Sequence, residues 1–329
     1  MATVAQAIRM ALHYGEKNLG LKNVFGEDVG PPLGGAFTVT QGIECSWNSP
    51  LDERGIIGAA IGQSWTSNGD WNLPMTIMTP VGAGIRGSIY HSHSFDAMMT
   101  HIPGWKIVLP STPLDAYGLM ISCLKDENPT MYMMPKALLR YEGKEPIPGE
   151  PDLTPEGKKE LRAMIDMPIL GSEAQKTWKA KFPKGLTDYA VEIGKGKITR
   201  DGDHVTVVTY GRHVHIAGEV SDKMREEGVG VEVIDMRTLW PYDWDMISAS
   251  IRKTKRVIFM NEDTEVTNFG EHLLRRAVDE FFYDLEAKPK LLAGAFVPGI
   301  GLADPLEAAS VPQALDIENA VRELVAQHA

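Results

Sequence analysis

The chain has 329 residues, 43% of them hydrophobic, with 33 Lys and Arg against 44 Asp and Glu and a net charge of −11. That length and composition bury a large core across two domains and exclude a disordered chain, while the acidic balance, without a dense Lys/Arg run, excludes a general nucleic-acid surface. No uncharged stretch exceeds 15 residues, so no membrane span is expected, and two cysteines, Cys45 and Cys123, make neither a disulfide framework nor a Cys-rich zinc site.

Met1-Ala2-Thr3-Val4 runs straight into an amphipathic pattern with no basic-then-apolar leader, which predicts a cytoplasmic protein. Thr3 with Gln6 reads as a capping box opening a helix whose Val4, Ala7, Ile8, Ala11 and Leu12 share one face. Val24-Phe25 then leads into Gly26-Glu27-Asp28-Val29-Gly30 and a Gly/Pro-rich stretch to Gly35, the pattern of a strand ending in a functional loop. Glu53 opens the next helical pattern, with Ile56, Ile57, Ala60 and Ile61 at helical spacing. Strands are predicted at Met75–Thr79, Lys106–Leu109 and Thr130–Met134. Ser111-Thr112-Pro113 starts a helix through Leu119, Met120 and Cys123, with Thr as N-cap and Pro at the first helical position.

From Glu142 to Pro183 periodicity weakens and six of the 21 prolines gather, which predicts a connection with one short helix. Order returns as strand His204–Tyr210, helix Ile216–Glu227, strand Val229–Asp235, strand Arg256–Asn261, helix Gly270–Phe282, strand Lys290–Phe296 and helix Gln313–Ala326. This alternation implies a parallel sheet with helices on both faces. The expectation is an α/β protein of two doubly wound domains, at residues 1–141 and 191–329, joined by 142–190.

Three constellations invite a chemical reading. Gly82-Ala83-Gly84-Ile85-Arg86-Gly87 matches the dinucleotide fingerprint G-x-G-x-x-G after a predicted strand. No acidic residue ends the following strand at Leu109, and Tyr90-His91-Ser92-His93 with Pro103-Gly104 does not read as a crossover helix, so nicotinamide binding is disfavoured. His91, His93 and His101 form a histidine cluster. Two imidazoles at i and i+2 face the same way only on a strand, so a metal site would need extended backbone and a carboxylate such as Asp96. Catalytic histidines in a polar loop, or a plain surface loop, are the other readings. Glu27 and Glu53 form a carboxylate pair, one after a strand end and the other before an Ile/Ala-rich helix, and a solvated helix-end role competes with pKa-tuned chemistry for both.

Together these blocks carry a resemblance. Phe25-Gly26-Glu27-Asp28-Val29-Gly30, Gly34-Gly35-Ala36-Phe37, Pro50-Leu51-Asp52-Glu53-Arg54-Gly55, Tyr90-His91-Ser92-His93-Ser94, His101-Ile102-Pro103-Gly104-Trp105-Lys106-Ile107-Val108 and Asp235-Met236-Arg237-Thr238-Leu239-Trp240-Pro241 resemble the beta subunit of thiamine-diphosphate-dependent 2-oxo acid dehydrogenases. The order holds to Glu262-Asp263-Thr264 and Asn268-Phe269-Gly270. The pyruvate, branched-chain and acetoin enzymes share this transketolase-like architecture. The resemblance implies an N-terminal transketolase-like pyrimidine-binding domain and a C-terminal transketolase-like domain. It also implies an alpha partner, in an assembly of two alpha and two beta chains, that holds the diphosphate and its magnesium. The chain agrees in lacking a Gly-Asp-Gly block with a downstream Asn pair, of which Asn68-Gly69-Asp70 is only a fragment.

By the same resemblance Glu53 matches the glutamate that hydrogen-bonds the pyrimidine ring nitrogen of thiamine diphosphate and favours the tautomer that takes the thiazolium proton. Glu27 resembles the acidic residue on the channel between the two cofactor sites. His91 matches the loop histidine near the substrate carbonyl and the acyl acceptor. Cys123, Asp126 and Asn128, with the carbonyls of Leu73, Met75 and Thr76, match the spacing of a potassium site in branched-chain members, and oxygen donors suit that hard cation. An ordinary helix exit is the competing reading of Lys125-Asp126-Glu127-Asn128-Pro129.

The chain departs from the family pattern in several places. Between Gly62 and Pro74 only Gln63–Leu73 remain where the family has a longer stretch, with Trp65 or Trp71 as replacements for its aromatic residue. The 142–183 connection is longer than usual, His93 stands where Gln is usual, and Trp240 stands where Arg is common. The expected activity is cleavage of a 2-oxo acid, with transfer of the acyl group to lipoamide on an acyltransferase core. A subunit cleaving an acyloin, ketone or cyclic diketone and a non-catalytic interaction subunit are the rivals.

Overall fold

The computed structural model describes residues 1–48, 72–152, 154–168 and 172–327. Among them the strands are β1 (Val24–Gly26), β2 (Ser46–Asn48), β3 (Thr76–Val81), β4 (Lys106–Val108), β5 (Thr130–Pro135), β6 (Lys197–Arg200), β7 (Val205–Thr209), β8 (Val231–Asp235), β9 (Thr238–Trp240), β10 (Val257–Thr264) and β11 (Lys290–Gly294). They form a parallel pair β1-β2, a sheet in the order β3-β5-β4-β9 and a sheet in the order β11-β10-β7-β8-β6. The chain's contacts divide it into two units. Unit 1 comprises Met1–Met78, Thr112–Tyr132 and Leu138–Ile193, and unit 2 comprises Thr79–Ser111, Met133–Ala137 and Gly194–Ala329.

Unit 1 is organised by the helix Val4–Tyr14. The Thr3 hydroxyl accepts from Gln6 N–H at 3.2 Å and the Gln6 side chain accepts from Thr3 N–H at 3.0 Å, so the reciprocal box occupies two amides at the helix start. Its apolar face is buried and packs on the helix Pro113–Lys125, which has Thr112 as N-cap and Pro113 at its first position. Where one short helix is expected in the Pro-rich connection, two form: Pro155–Ile165 under a Thr154 cap and Glu173–Thr177 under a Ser172 cap. Leu161 and Ile165 bury one face of the first, so two apolar residues one turn apart suffice there once a cap and an N1 proline start the turn.

Unit 2 holds the five-stranded sheet. β7 pairs parallel with both β8 and β10, and β10 pairs parallel with β11. Valines 205, 207, 231 and 233, with Ile258 and Met260, meet Ala217, Val220 and Met224 of the helix His213–Glu226 and Ile317, Val321 and Leu324 of the helix Ala314–Ala326. The sheet is not wholly parallel as predicted, because β6 runs antiparallel to β8 along one edge. β6 carries Lys197 and Arg200 and lacks the apolar run that marks a central strand. The helix Trp244–Thr254 also escapes the sequence pattern, since buried Ser248, Ser250 and Thr254 interrupt its apolar periodicity. The Thr254 hydroxyl is satisfied inside the core by the Ser250 carbonyl at 3.1 Å and the Thr206 hydroxyl at 2.8 Å. Among the described residues no helix is long and apolar enough to cross a membrane.

Candidate active site

Glu53, the block Pro50–Gly55, the helix expected from Glu53, and Trp65 and Trp71 lie outside the described residues. Glu27 is described in unit 1, exposed and directly after β1. Its neighbour Phe25 stacks on Trp47 of β2, with centroids 5.0 Å apart and planes at 17°, and both rings are exposed. The loop that follows is internally tied. Asn48 accepts from Gly30 N–H at 2.7 Å, Asp28 accepts from Gly35 N–H at 2.7 Å, and Val29 accepts from the Thr40 hydroxyl at 2.7 Å.

Arg9, 2% exposed, underlies this loop. Its guanidinium donates to Thr38 Oγ1 at 3.1 Å, Gln41 Oε1 at 3.3 Å, Asp166 Oδ1 at 3.2 Å and the Ile165 carbonyl. A carboxylate and aromatic rings are the residue types that would hold a flat, polar aminopyrimidine, were one bound at this segment.

The histidines belong to unit 2. His91 ends the short helix Ser88–His91, His101 follows the helix Asp96–Thr100, and His91, His93 and His101 are all exposed. Because residues 88–91 are helical, the extended backbone that would align His91 with His93 is missing there. Asp96 faces the interior instead, and among the described residues no group of three His, Cys, Asp or Glu could hold a metal ion.

The glycine motif beside them is not an open phosphate cradle. Ala83 N–H donates to Glu262 Oε2 at 2.7 Å and Arg86 N–H donates to Glu307 Oε2 at 2.8 Å, so carboxylates of the chain itself occupy two amides of the loop. That finding removes the dinucleotide reading on physical grounds.

Behind this loop lies a cluster of ionisable residues that the sequence does not single out. The Tyr210 hydroxyl donates to Asp96 Oδ2 at 2.5 Å, and Asp263 Oδ2 accepts from Ala97 N–H at 3.0 Å. Burial, then the nearby Asp263 charge, lifts the Asp96 carboxyl to about 7, against the Tyr210 hydrogen bond. Arg212 Nε stands 3.0 Å from Glu262 Oε1, an ion pair too poorly aligned to count as a hydrogen bond. Burial brings the Lys136 ammonium down to about 8, opposed by the Glu262 charge, and holds His213 below its usual value. Tyr210 and Arg212 follow β7, while Glu262 and Asp263 are among the last residues of the neighbouring strand β10. Carboxyl ends of parallel strands are where such sheets place polar sites, and that is the signal that could have found them.

In the candidate potassium set, Asp126 Oδ1 accepts from Asn128 N–H at 2.9 Å and from its side-chain amide at 3.1 Å. The Cys123 carbonyl accepts from Asp126 N–H at 3.2 Å and the Met75 carbonyl from Thr130 N–H at 2.9 Å, while the Thr76 and Thr130 hydroxyls are 2.9 Å apart. The donors that potassium would need are oxygens, and each of these carbonyls has a second lone pair to offer. The six residues thus fit a monovalent cation in donor type.

Comparison with known proteins places the chain. Residues 64–142 match the family described as transketolase, pyrimidine binding domain, and residues 194–317 match transketolase, C-terminal domain. A solved chain titled split gene transketolase, inactive beta4 tetramer, superposes with a TM-score of 0.68 at 17% identity, over 100% of both chains, and shows the fold. The architecture is therefore that of a transketolase-type α/β protein. The 2-oxoisovalerate dehydrogenase subunit beta of Pseudomonas aeruginosa is 32% identical over 90% of this chain and 88% of its own length, and that of Bacillus subtilis is 29% identical over 92% and 91%. The pyruvate dehydrogenase E1 component subunit beta of Bacillus subtilis is 29% identical over 87% of each chain. The chain belongs to the beta subunits of the thiamine-diphosphate-dependent 2-oxo acid dehydrogenases.

Proposed function

We propose that the chain is the beta half of a decarboxylating enzyme that, with an alpha partner in a two-alpha, two-beta assembly, cleaves a 2-oxo acid and passes the acyl group to lipoamide on an acyltransferase core. The observation that carries this reading is the match along about nine tenths of the chain to beta subunits named for 2-oxoisovalerate dehydrogenase. Thiamine diphosphate, when bound, supplies the nucleophilic carbon that breaks the bond beside the oxo group. Glu53 and Glu27 would face its pyrimidine side, and His91 would donate or accept a proton at the substrate oxygen. Magnesium belongs to the partner in this scheme. Domain limits at 1–141 and 191–329, with 142–190 as connection, form part of the same proposal. The shortened stretch between Gly62 and Pro74 favours a second reading, in which the substrate is an acyloin, a ketone or a cyclic diketone.

The test begins with calorimetric titration of thiamine diphosphate and magnesium into the purified chain, alone and with the alpha subunit. Weak binding alone and tight binding with the partner are expected, and tight binding alone overturns the shared site. In the assembled enzyme, Glu53→Gln should leave cofactor binding largely intact while slowing exchange of the thiazolium carbon proton for deuterium. The loss should fall on turnover more than on apparent substrate affinity. An unchanged exchange rate would make the non-catalytic subunit the better account.

A further inference from the structure

Carboxylates supplied within unit 2 hold the segment that carries the histidines. Glu262 accepts from Ala83 N–H at 2.7 Å, Glu307 from Arg86 N–H at 2.8 Å and Asp263 from Ala97 N–H at 3.0 Å. These three amides bracket His91 and His93 on both sides, and Gly82 N–H closes the segment by donating to the His93 carbonyl at 3.1 Å. Side-chain carboxyls thus take three backbone amides of the loop that no neighbouring backbone carbonyl is shown to accept. Glu262 is itself fixed by the Arg212 guanidinium at 3.0 Å.

The backbone is shaped to reach that carboxylate. Gly82 sits at φ +88°, and a Cβ there would stand 3.0 Å from Glu262 Oε2. Gly84 sits at φ +94°, where a Cβ would come within 2.7 Å of the Ala137 methyl. Both glycines are therefore required for the turn to lie against Glu262.

We propose that Glu262 is a positioning residue: its carboxylate fixes the Gly82–Gly84 turn and thereby the place from which His91 acts. The catalytic half of this statement rests on the role given to His91 above. Glu262 meets the loop backbone and Arg212, with His213 Nδ1 3.8 Å from its Oε1, and is given no part in the chemistry itself. The amide oxygen of a glutamine in its place would still accept from Ala83 N–H, with its NH2 turned toward Arg212, whereas an alanine would offer no acceptor at all.

The experiment uses the full chain assembled with its alpha partner, as Glu262→Gln, Glu262→Ala, His91→Ala and the double variant Glu262→Ala with His91→Ala. Amide hydrogen exchange over residues 83–97 reads the loop, and kcat and KM read its consequence. Glu262→Ala should speed exchange across this segment and lower kcat on the order of 10-fold with KM little changed, and Glu262→Gln, which keeps the Ala83 acceptor but not the Arg212 ion pair, should restore part of both. In the His91→Ala background, Glu262→Ala should cost nothing further, since it acts through that imidazole. Gly82→Ala, which drives a methyl toward the same carboxylate, should reproduce the exchange pattern if Glu262→Ala fails to fold. Unchanged exchange in Glu262→Ala overturns the holding role. A further loss of kcat in the His91→Ala background overturns action through His91. Faster exchange combined with a fully active His91→Ala overturns the catalytic reading of His91 and leaves the holding of the loop standing.

Discussion

Tyr210 donates its phenolic hydrogen to Asp96 at 2.5 Å, and the carboxyl group it meets is 1% exposed. Two residues 114 positions apart thus share one proton environment. Asp263 and Glu262 raise the cost of a charge there. The Asp96 carboxyl moves from 3.8 to about 7 in the folded chain, so the fold binds the proton more tightly than the unfolded chain does. Its stabilising share is complete below the unfolded value and is lost as pH rises toward about 7. Asp96→Asn keeps an acceptor for Tyr210 and removes the titration. Urea melts of both proteins from about pH 4 to 8 should show a flatter curve for the variant, which overtakes the wild type at the alkaline end. Parallel curves would rule out Asp96 as the titrating group.

His91→Ala should spare cofactor binding in the assembled enzyme and slow acyl formation or transfer on the order of 10²-fold, the scale of losing an acid–base group. His93→Gln, which installs the residue usual in the family, should be mild. Pre-steady-state rates with the assembled enzyme decide between these outcomes, and full activity in His91→Ala would return this exposed loop to a plain surface role.

Potassium should raise the melting temperature of the assembled enzyme if Asp126, Asn128 and Cys123 share a cation with Leu73, Met75 and Thr76. Asp126→Ala should abolish that dependence. Equal melting in sodium and potassium would mean that Asp126 serves only to accept from Asn128, as it does in the helix exit.

Arg9→Ala should destabilise unit 1 by about 2–4 kcal/mol, because four acceptors lose their donor and a buried volume is vacated. Arg9→Met, which refills the volume without the donors, should recover part of the loss. The midpoint of urea denaturation measures both. An Arg9→Ala midpoint equal to wild type would show that water replaces the guanidinium without cost.

Local signals were legible where one short stretch determines the outcome. Thr3 with Gln6 and Thr112 with Pro113 start helices by satisfying or omitting the first amides, and the structure places helix starts at both. The strand–helix alternation through His204–Asp235 likewise announced parallel strands, and β7 and β8 pair parallel. Trp244–Thr254 was not legible, because buried Ser248, Ser250 and Thr254 break its apolar period and the Thr254 hydroxyl is met in the core by Thr206, 48 residues away in sequence. The same holds for the group of Asp96, Tyr210, Glu262 and Asp263, which exists only once separate strand ends meet in unit 2. The glycine motif was rightly disfavoured as a dinucleotide site from its context, but its occupant was not legible: nothing near Gly82 indicates that Glu262, 179 residues beyond Ala83, fills the amide a phosphate would use.

The antiparallel strand β6 bears on how the protein behaves before it meets any partner. A sheet edge offers unpaired backbone groups to whatever strand arrives, and a flat apolar edge invites stacking into aggregates. Here the edge is short and charged, with Lys197 and Arg200 along it and Arg200 bound to Asp222 at 2.7 Å. A second molecule offering a strand at this edge would have to accommodate those cations. The β6 edge of the largest sheet is thereby a poor template for a further strand.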